Sequence, residues 1–284
     1  MWFLLHGCSG TFLRNPKHLA ASLISRVYSM TTWFFLYLSS VNQILVIMDT
    51  LGKILIYAGF SGITVFIGAL LGNAFNNHIK KRVLKYEISH AAIAFGGGII
   101  LSAVALVLVP KGLEELNLWP MLLSFGAGSV IFFVIDKYLQ QKGGKMAQLL
   151  AMLMDFVPES IALGALFASD PSTGTLLAIF IGLQNLPEAF NSFRDMVLSG
   201  FTAKKTLMLM FMLSFAGIGG ALIGHFFLRD YPDVTAHLMV FASGGILYLI
   251  FQDIAPSSKM KHHHWGAIGA CVGFMVGMIG EKVI

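Results

Sequence analysis

AMLMDFVPESIALGALFA, residues 151–168, is apolar enough to cross a bilayer, yet Asp155, Pro158 and Glu159 stand in its middle. LLAIFIGLQNLPEAFNSF, residues 176–193, repeats the device with Gln184, Pro187 and Glu188. A helix needs roughly 20 apolar residues to span ~30 Å of hydrocarbon. An ionised acid near the centre of that layer costs roughly 2.5–3.5 kcal/mol even on a lenient insertion scale. Neither stretch holds a Lys or Arg, so no ion pair within them offsets the cost. A bound cation or a proton must do so.

Spacing points to the cation. Asp155 and Glu159 are four residues apart and project from one helix face, as do Gln184 and Glu188. The short connection SDPSTG (169–174) makes the two helices antiparallel neighbours, so four oxygen-bearing side chains converge if those faces meet. Pro158 and Pro187 each remove an intrahelical hydrogen bond and free a carbonyl one turn earlier. Irregular backbone of this kind is tolerated at depth where it lines a cavity. The competing reading is a pair of packing kinks whose acids are protonated and hydrogen-bonded across the helices. Two copies of the Pro-Glu device on adjacent spans favour the cation.

The rest of the chain fits a bilayer. Hydrophobic residues make up 56% and charged residues 12%, about half the charge of a soluble domain, with mean hydropathy +0.77. The reading is an all-α integral membrane protein with eight spans, at about 54–73, 89–110, 119–138, 146–169, 174–195, 206–228, 235–252 and 265–281. With the N-terminal end of the first span outside, the inner loops hold Lys80, Lys81, Arg82, Lys85, Lys137, Lys142, Lys145, Arg194, Lys204, Lys205, Lys259 and Lys261. Against these twelve, Lys111, Arg229 and Lys282 fall on the outer side of the later spans, as the positive-inside rule requires. The net charge of +5 therefore reports topology, and nucleic acid is not an expected partner. Cys8 and Cys271 form neither a disulfide framework nor a thiolate metal site.

Two domains are expected: an extension over 1–53 and an eight-span unit over 54–284. Arg14, Lys17 and Arg26 precede the apolar run WFFLYLSSVNQILVIM (33–48), which reads as a signal-like or anchor segment, or as sequence upstream of a start at Met48. Within the eight-span unit, FGGGIILSAVALVLVP (95–110) aligns without gaps on FASGGILYLIFQDIAP (241–256), sharing Phe, Gly, Ile, Leu and the final Pro. Those spans run in opposite directions, the mark of an inverted repeat around a central site. The expected arrangement is three helices, a central pair and three more.

With those motifs in view, the chain resembles the ZIP (Zrt-, Irt-like) divalent-metal transporters, whose fourth and fifth spans carry H-N-x-P-E-G and a related H/Q-N/D-x-P-E-G. Here the corresponding stretches read D-F-V-P-E-S and Q-N-L-P-E-A. AFGGGIILSAVALVLVPKGLEE and LLSFGAGSVIFFVIDKYL are similar to the family's second and third spans. The resemblance covers about 54–281 and implies a metal site of Asp155, Glu159, Gln184 and Glu188. In the family a second ion is bridged by the two glutamates. Asn185 survives from that second site, but Phe156 replaces its span-four Asn and Gly217, in LSFAGIGGA, its span-six glutamate. One metal per site is therefore expected.

Function follows as an expectation: a carrier moving a divalent cation, Zn²⁺, Mn²⁺ or Fe²⁺, toward the cytoplasm, with the direction implied by the resemblance alone. Asp155 in place of the family's His hardens the ligand set and tilts it toward Mn²⁺ or Fe²⁺, with Zn²⁺ still bound. No other cofactor is expected; the partners are the metal ion, the lipid bilayer and, by resemblance, a second copy in a homodimer. An enzyme is not expected: H-E-x-x-H and G-x-S-x-G are absent, and Asp155 with Asp253 is the only conceivable aspartyl pair for an intramembrane hydrolase. A transport-inactive metal sensor is the runner-up. Gln252 and Asp253 read as the inner end of a path or a solvated helix end. His225, Asp230, Asp233 and His237 read as a polar outer turn rather than a metal-gathering mouth. His262, His263 and His264 lie in an inner loop; His78 and His90 carry no distinguishing signal.

Overall fold

A computed structural model describes residues 48–142, 147–260 and 265–283. The expected extension falls almost wholly on residues 1–47, which lie outside the described residues, as do Lys145, Lys261 and His262 to His264. Among the described residues there are eight long helices and no strand. They are α1 (Met48–His78), α2 (Arg82–Glu115), α3 (Leu118–Lys142), α4 (Ala147–Ser169), α5 (Pro171–Leu198), α6 (Ala203–Leu228), α7 (Pro232–Ser258) and α8 (Trp265–Val283). Each covers one expected span. Seven are both long and apolar enough to cross a membrane. The exception is α5, whose 28 residues suffice in length but include Gln184, Asn185, Glu188, Asn191, Arg194 and Asp195.

The helices lengthen where local chemistry allows. Asp170 alone separates α4 from α5, because Pro171 is suited to the first helical turn and the Asp170 carboxylate caps it, accepting from the Thr173 N–H at 3.2 Å. Helix α6 tightens at Ser214 and Phe215, where the Phe215 N–H bonds the Met212 carbonyl rather than the one a turn back.

Helices distant in sequence pair closely: α2 packs on α8, and α3 on α7. The two pairs use matching notches. A Cβ on Gly98 of α2 would strike the Ala270 carbonyl of α8, and one on Gly273 the Phe95 carbonyl. In the other pair, a Cβ on Gly244 of α7 would strike the Phe125 carbonyl of α3, and one on Gly128 the Phe241 carbonyl. Gly98 aligns with Gly244 and Phe95 with Phe241 in the internal echo. Small residues let backbones approach this closely where helix association has no hydrophobic drive.

The echo extends to a backbone irregularity. Both α2 and α7 widen into a π turn, at Val104–Leu108 and Ile250–Ile254, and these segments coincide in the alignment. The N–H of Val109 reaches the Val104 carbonyl, and that of Ala255 reaches Ile250. Each turn precedes an aligned proline, Pro110 or Pro256, which has no N–H to give and whose ring crowds the carbonyl one turn back. Between the pairs lies the α4–α5 hairpin, with α6 and α7 against α4 and α2 against α5.

Candidate metal site

Asp155 and Glu159 lie on the buried face of α4, 6% and 0% exposed, and Gln184 and Asn185 of α5 are 1% exposed each. The expected meeting of the two faces occurs at their centre: Gln184 Nε2 donates to Glu159 Oε2 at 2.6 Å. Asp155 turns back on its own helix, its Oδ1 accepting from the Phe156 N–H at 2.9 Å. Four buried oxygens of the two helices have no donor among the described residues: Glu159 Oε1, Gln184 Oε1, Glu188 Oε2 and Asn191 Oδ1. Buried acceptors are ordinarily satisfied, so four orphans on two neighbouring helices set this stretch apart. Neither α4 nor α5 brings a base to them. Arg194, the only basic residue of the two helices, lies over the rings of Phe75 (5.3 Å) and Phe190 (5.8 Å) and donates to Ser89.

Asn185 points elsewhere, its Nδ2 donating to the Ser61 carbonyl of α1 at 3.0 Å. The Pro187 carbonyl accepts from Asn191 Nδ2 at 2.9 Å, one turn further along α5.

A cavity of about 150 Å³ leads from the site toward the basic ends of the helices, those expected on the inner side. Asp155 and Glu188 border its deep end; Asn191, Asp195, Asp253 and Ser257 line the rest. The spacing 184, 188, 191, 195 on α5 is a single helix stripe, a sequence signal that extends past the two motif residues to Asn191 and Asp195. Asp253 is exposed and borders this cavity. Glu159 and Gln184 do not border the cavity. Among the described residues no group of three His, Cys, Asp or Glu side chains is placed to hold a metal ion. In this conformation Asp155 is bonded to its own backbone, and Glu159 to an amide.

Phe156 and Gly217, the two departures from the family pattern, meet. The ring is 1% exposed, and a Cβ on Gly217 would lie 2.5 Å from its Cζ. The aromatic side chain fills the hollow that the missing side chain leaves between α4 and α6.

The remaining candidates are held separately. His237 Nδ1 pairs with Ser124 Oγ at 2.7 Å, and Asp230 with Arg229 at 3.4 Å. His225 is 2% exposed with neither ring nitrogen bonded. His78 and His90 bond the backbone of their own helices, at Ala74 and Tyr86.

No family model matches the chain. It is 23% identical over 258 residues to the zinc transporter ZupT of Chlorobium chlorochromatii, a match covering 77% of this chain and 92% of that protein. It is 23% identical over 224 residues to the zinc transporter ZIP13 of Pongo abelii, covering 75% of this chain and 62% of that one. Both relatives are transporters, in keeping with the expectation that the chain is no enzyme. With the seven apolar helices, they make it an integral, multi-pass membrane protein.

Proposed function

We propose that this chain, a divergent member of the ZIP family of metal transporters, is a carrier that moves a divalent transition-metal ion toward the cytoplasm. The ion is held between α4 and α5 by Asp155, Glu159, Gln184 and Glu188. The observation that carries this reading is the set of orphaned oxygens on Glu159, Gln184, Glu188 and Asn191, on two helices whose one basic side chain, Arg194, lies over Phe75 and Phe190 and donates to Ser89. A divalent cation supplies the charge they lack. Binding exchanges the Gln184–Glu159 hydrogen bond for metal bonds and frees Asp155 from the Phe156 N–H. The Asn185 amide nitrogen is engaged with Ser61, so any part Asn185 takes falls to its Oδ1.

Three carboxylates and an amide make a hard, oxygen-only ligand set, suited to Mn²⁺ and Fe²⁺ and able to take Zn²⁺, the ion named for both relatives. The replacement of the second site's two ligands by Phe156 and Gly217, which pack on each other, supports one ion rather than two. Inward direction rests on the family resemblance; in this conformation the cavity reaches the site from the basic side. The 3+2+3 inverted repeat is supported by the matched π turns and reciprocal notches of α2–α8 and α7–α3, and alternating access about a central site uses such symmetry.

The test is uptake of Zn²⁺, Mn²⁺ and Fe²⁺ into sealed proteoliposomes by the wild type and by Glu159→Gln/Glu188→Gln. Saturable uptake lost in the double variant supports the carrier. Metal binding without uptake in the wild type establishes the sensor reading instead.

A further inference from the structure

The repeat sets its two π turns at opposite ends of the site. Helix α2 runs outward, so Val104–Leu108 lies toward its outer end; α7 runs inward, so Ile250–Ile254 lies toward its inner end. Kinks and register changes in helices concentrate at such turns. The segments beyond them differ in one respect. Past the outer turn, Lys111 Nζ stands 3.3 Å from Glu115, 3.5 Å from Glu114 and 3.8 Å from Asp170. The two glutamates belong to the same segment, whereas Asp170 belongs to the α4–α5 turn, fixed there by Thr173 and Ser172. The pair Lys111–Asp170 therefore ties the segment to the site-bearing hairpin. The lysine side chain is only 17% exposed, which limits screening by water and salt.

Beneath this tie the path is closed. Val107, Leu108, Leu163, Leu166, Leu177 and Ile181 are all buried in one apolar cluster on the outer halves of α2, α4 and α5. The aligned position at the other end, one past Pro256, is Ser257. It carries no charge, and it borders the cavity that reaches Asp155 and Glu188.

We propose that the helix segments beyond the two π turns are the outer and inner gates of the metal path, and that the Lys111–Asp170 pair latches the outer gate alone. This rests on the carrier reading. The pair forms when the outer gate is shut, and an interaction made in only one of two conformations shifts their balance by its own strength. The latch thus sets the bias toward the inward-open form. Its mate at the inner end has only a serine with which to resist opening.

The experiment uses thiol reporters in full-length protein in which Cys8 and Cys271 are replaced by Ser. Ala162→Cys sits one turn outward of Glu159, in the closed half, and Ala151→Cys lines the inner cavity. Each is labelled with a membrane-impermeant maleimide, from outside and inside respectively, in vesicles of known orientation. The backgrounds are Lys111→Gln, Asp170→Asn and the two combined. Asn caps a helix about as well as Asp, so Asp170→Asn removes charge and keeps the cap. Each single change should raise outer labelling at position 162 about two- to fivefold, the range for partly exposed pairs. Inner labelling at position 151 should fall in step. The combined variant should do no more than the stronger single one, since one pair is broken once. Unchanged labelling at position 162 in both single variants overturns the latch, as do effects that multiply in the combined variant. A rise at both reporters signals a loosened fold and contradicts it equally. Zinc uptake in the same vesicles separates the two readings. Normal uptake with unmoved labelling removes the latch and keeps the carrier, whereas gating without any uptake removes the carrier.

Discussion

The two halves of the α4–α5 hairpin differ in kind. Outward of Glu159 and Gln184, the buried side chains include Ala162, Leu163, Leu166, Phe167, Leu177, Phe180 and Ile181. The one buried polar group there, Ser160, donates its hydroxyl to the Phe156 carbonyl of its own helix. Inward, Asp155, Glu188, Asn191 and Asp195 border a cavity of about 150 Å³. Both halves are helical, and both belong to the same two chain segments. The difference is one of lining, and the two Pro-Glu motifs stand at the boundary. A cation seated there is sealed on one side and has a polar route on the other, as a carrier needs at one end of its cycle.

The contrast is tested most severely by placing the same acid in each half. Leu163→Asp puts a carboxylate without a partner among packed apolar side chains, where a charge carries its full desolvation cost. No monodisperse protein should be recovered in detergent. Ala151→Asp adds a carboxylate to the cavity wall, and its thermal midpoint should stay close to that of the wild type. Equal losses would show that the halves do not differ as described.

The wall beside the boundary comes next. Phe156→Ala should cost about 3–5 kcal/mol, the range for emptying a buried aromatic site. Gly217→Leu in that background refills the hollow from α6 and should recover part of the loss in thermal unfolding. No recovery would mean that the ring and the glycine are not complementary. Asn185→Leu should cost about 0.5–1.5 kcal/mol, since it removes one hydrogen bond from the Ser61 carbonyl, which keeps that from Thr64 Oγ1. An unchanged thermal midpoint would show that this link between α1 and α5 contributes nothing.

An effect of similar size lies at the outer rim. Asp170→Ala removes the α5 cap and should cost ~1 kcal/mol at neutral pH. Burial pushes the Asp170 carboxyl up, but hydrogen bonds from Thr173 and Ser172 and the Lys111 charge outweigh it and hold its pKa below the usual carboxylate value. A lowered folded value stabilises above the unfolded pKa of about 3.9, and the gain is lost as pH falls through the folded value. The gap between wild type and Asp170→Ala should therefore narrow below about pH 4. A gap constant with pH would remove the carboxylate from the account.

Much of this was legible from residue order. Apolar run length located all eight helices, because ~20 residues is a bilayer constraint and owes nothing to packing partners. The i, i+4 spacing brought Glu159 to Gln184 correctly. The internal echo, five identities in sixteen, marked the stretch where the π turns and the glycine notches coincide. Pairing was not legible: apolar faces do not name their partners, so nothing in the sequence announced that α8 would lie on α2 or α7 on α3. The prolines at 110 and 256 signalled interruption without specifying an i to i+5 turn. Phe156 and Gly217 each looked like a lost ligand; only their contact shows one filling the space left by the other. Asn185 was grouped with the ligands by motif position, whereas its amide nitrogen is directed to α1, a choice made by the neighbouring helix.

The most direct test of the central claim is equilibrium binding of Zn²⁺ and Mn²⁺ to the purified protein, compared among wild type, Glu159→Gln and Glu188→Gln. The account predicts one ion per chain in the wild type and at least tenfold weaker binding in each variant, about 1.4 kcal/mol or more. Wild-type affinity retained in both variants would contradict it, leaving the buried oxygens of the two motifs as packing groups rather than metal ligands.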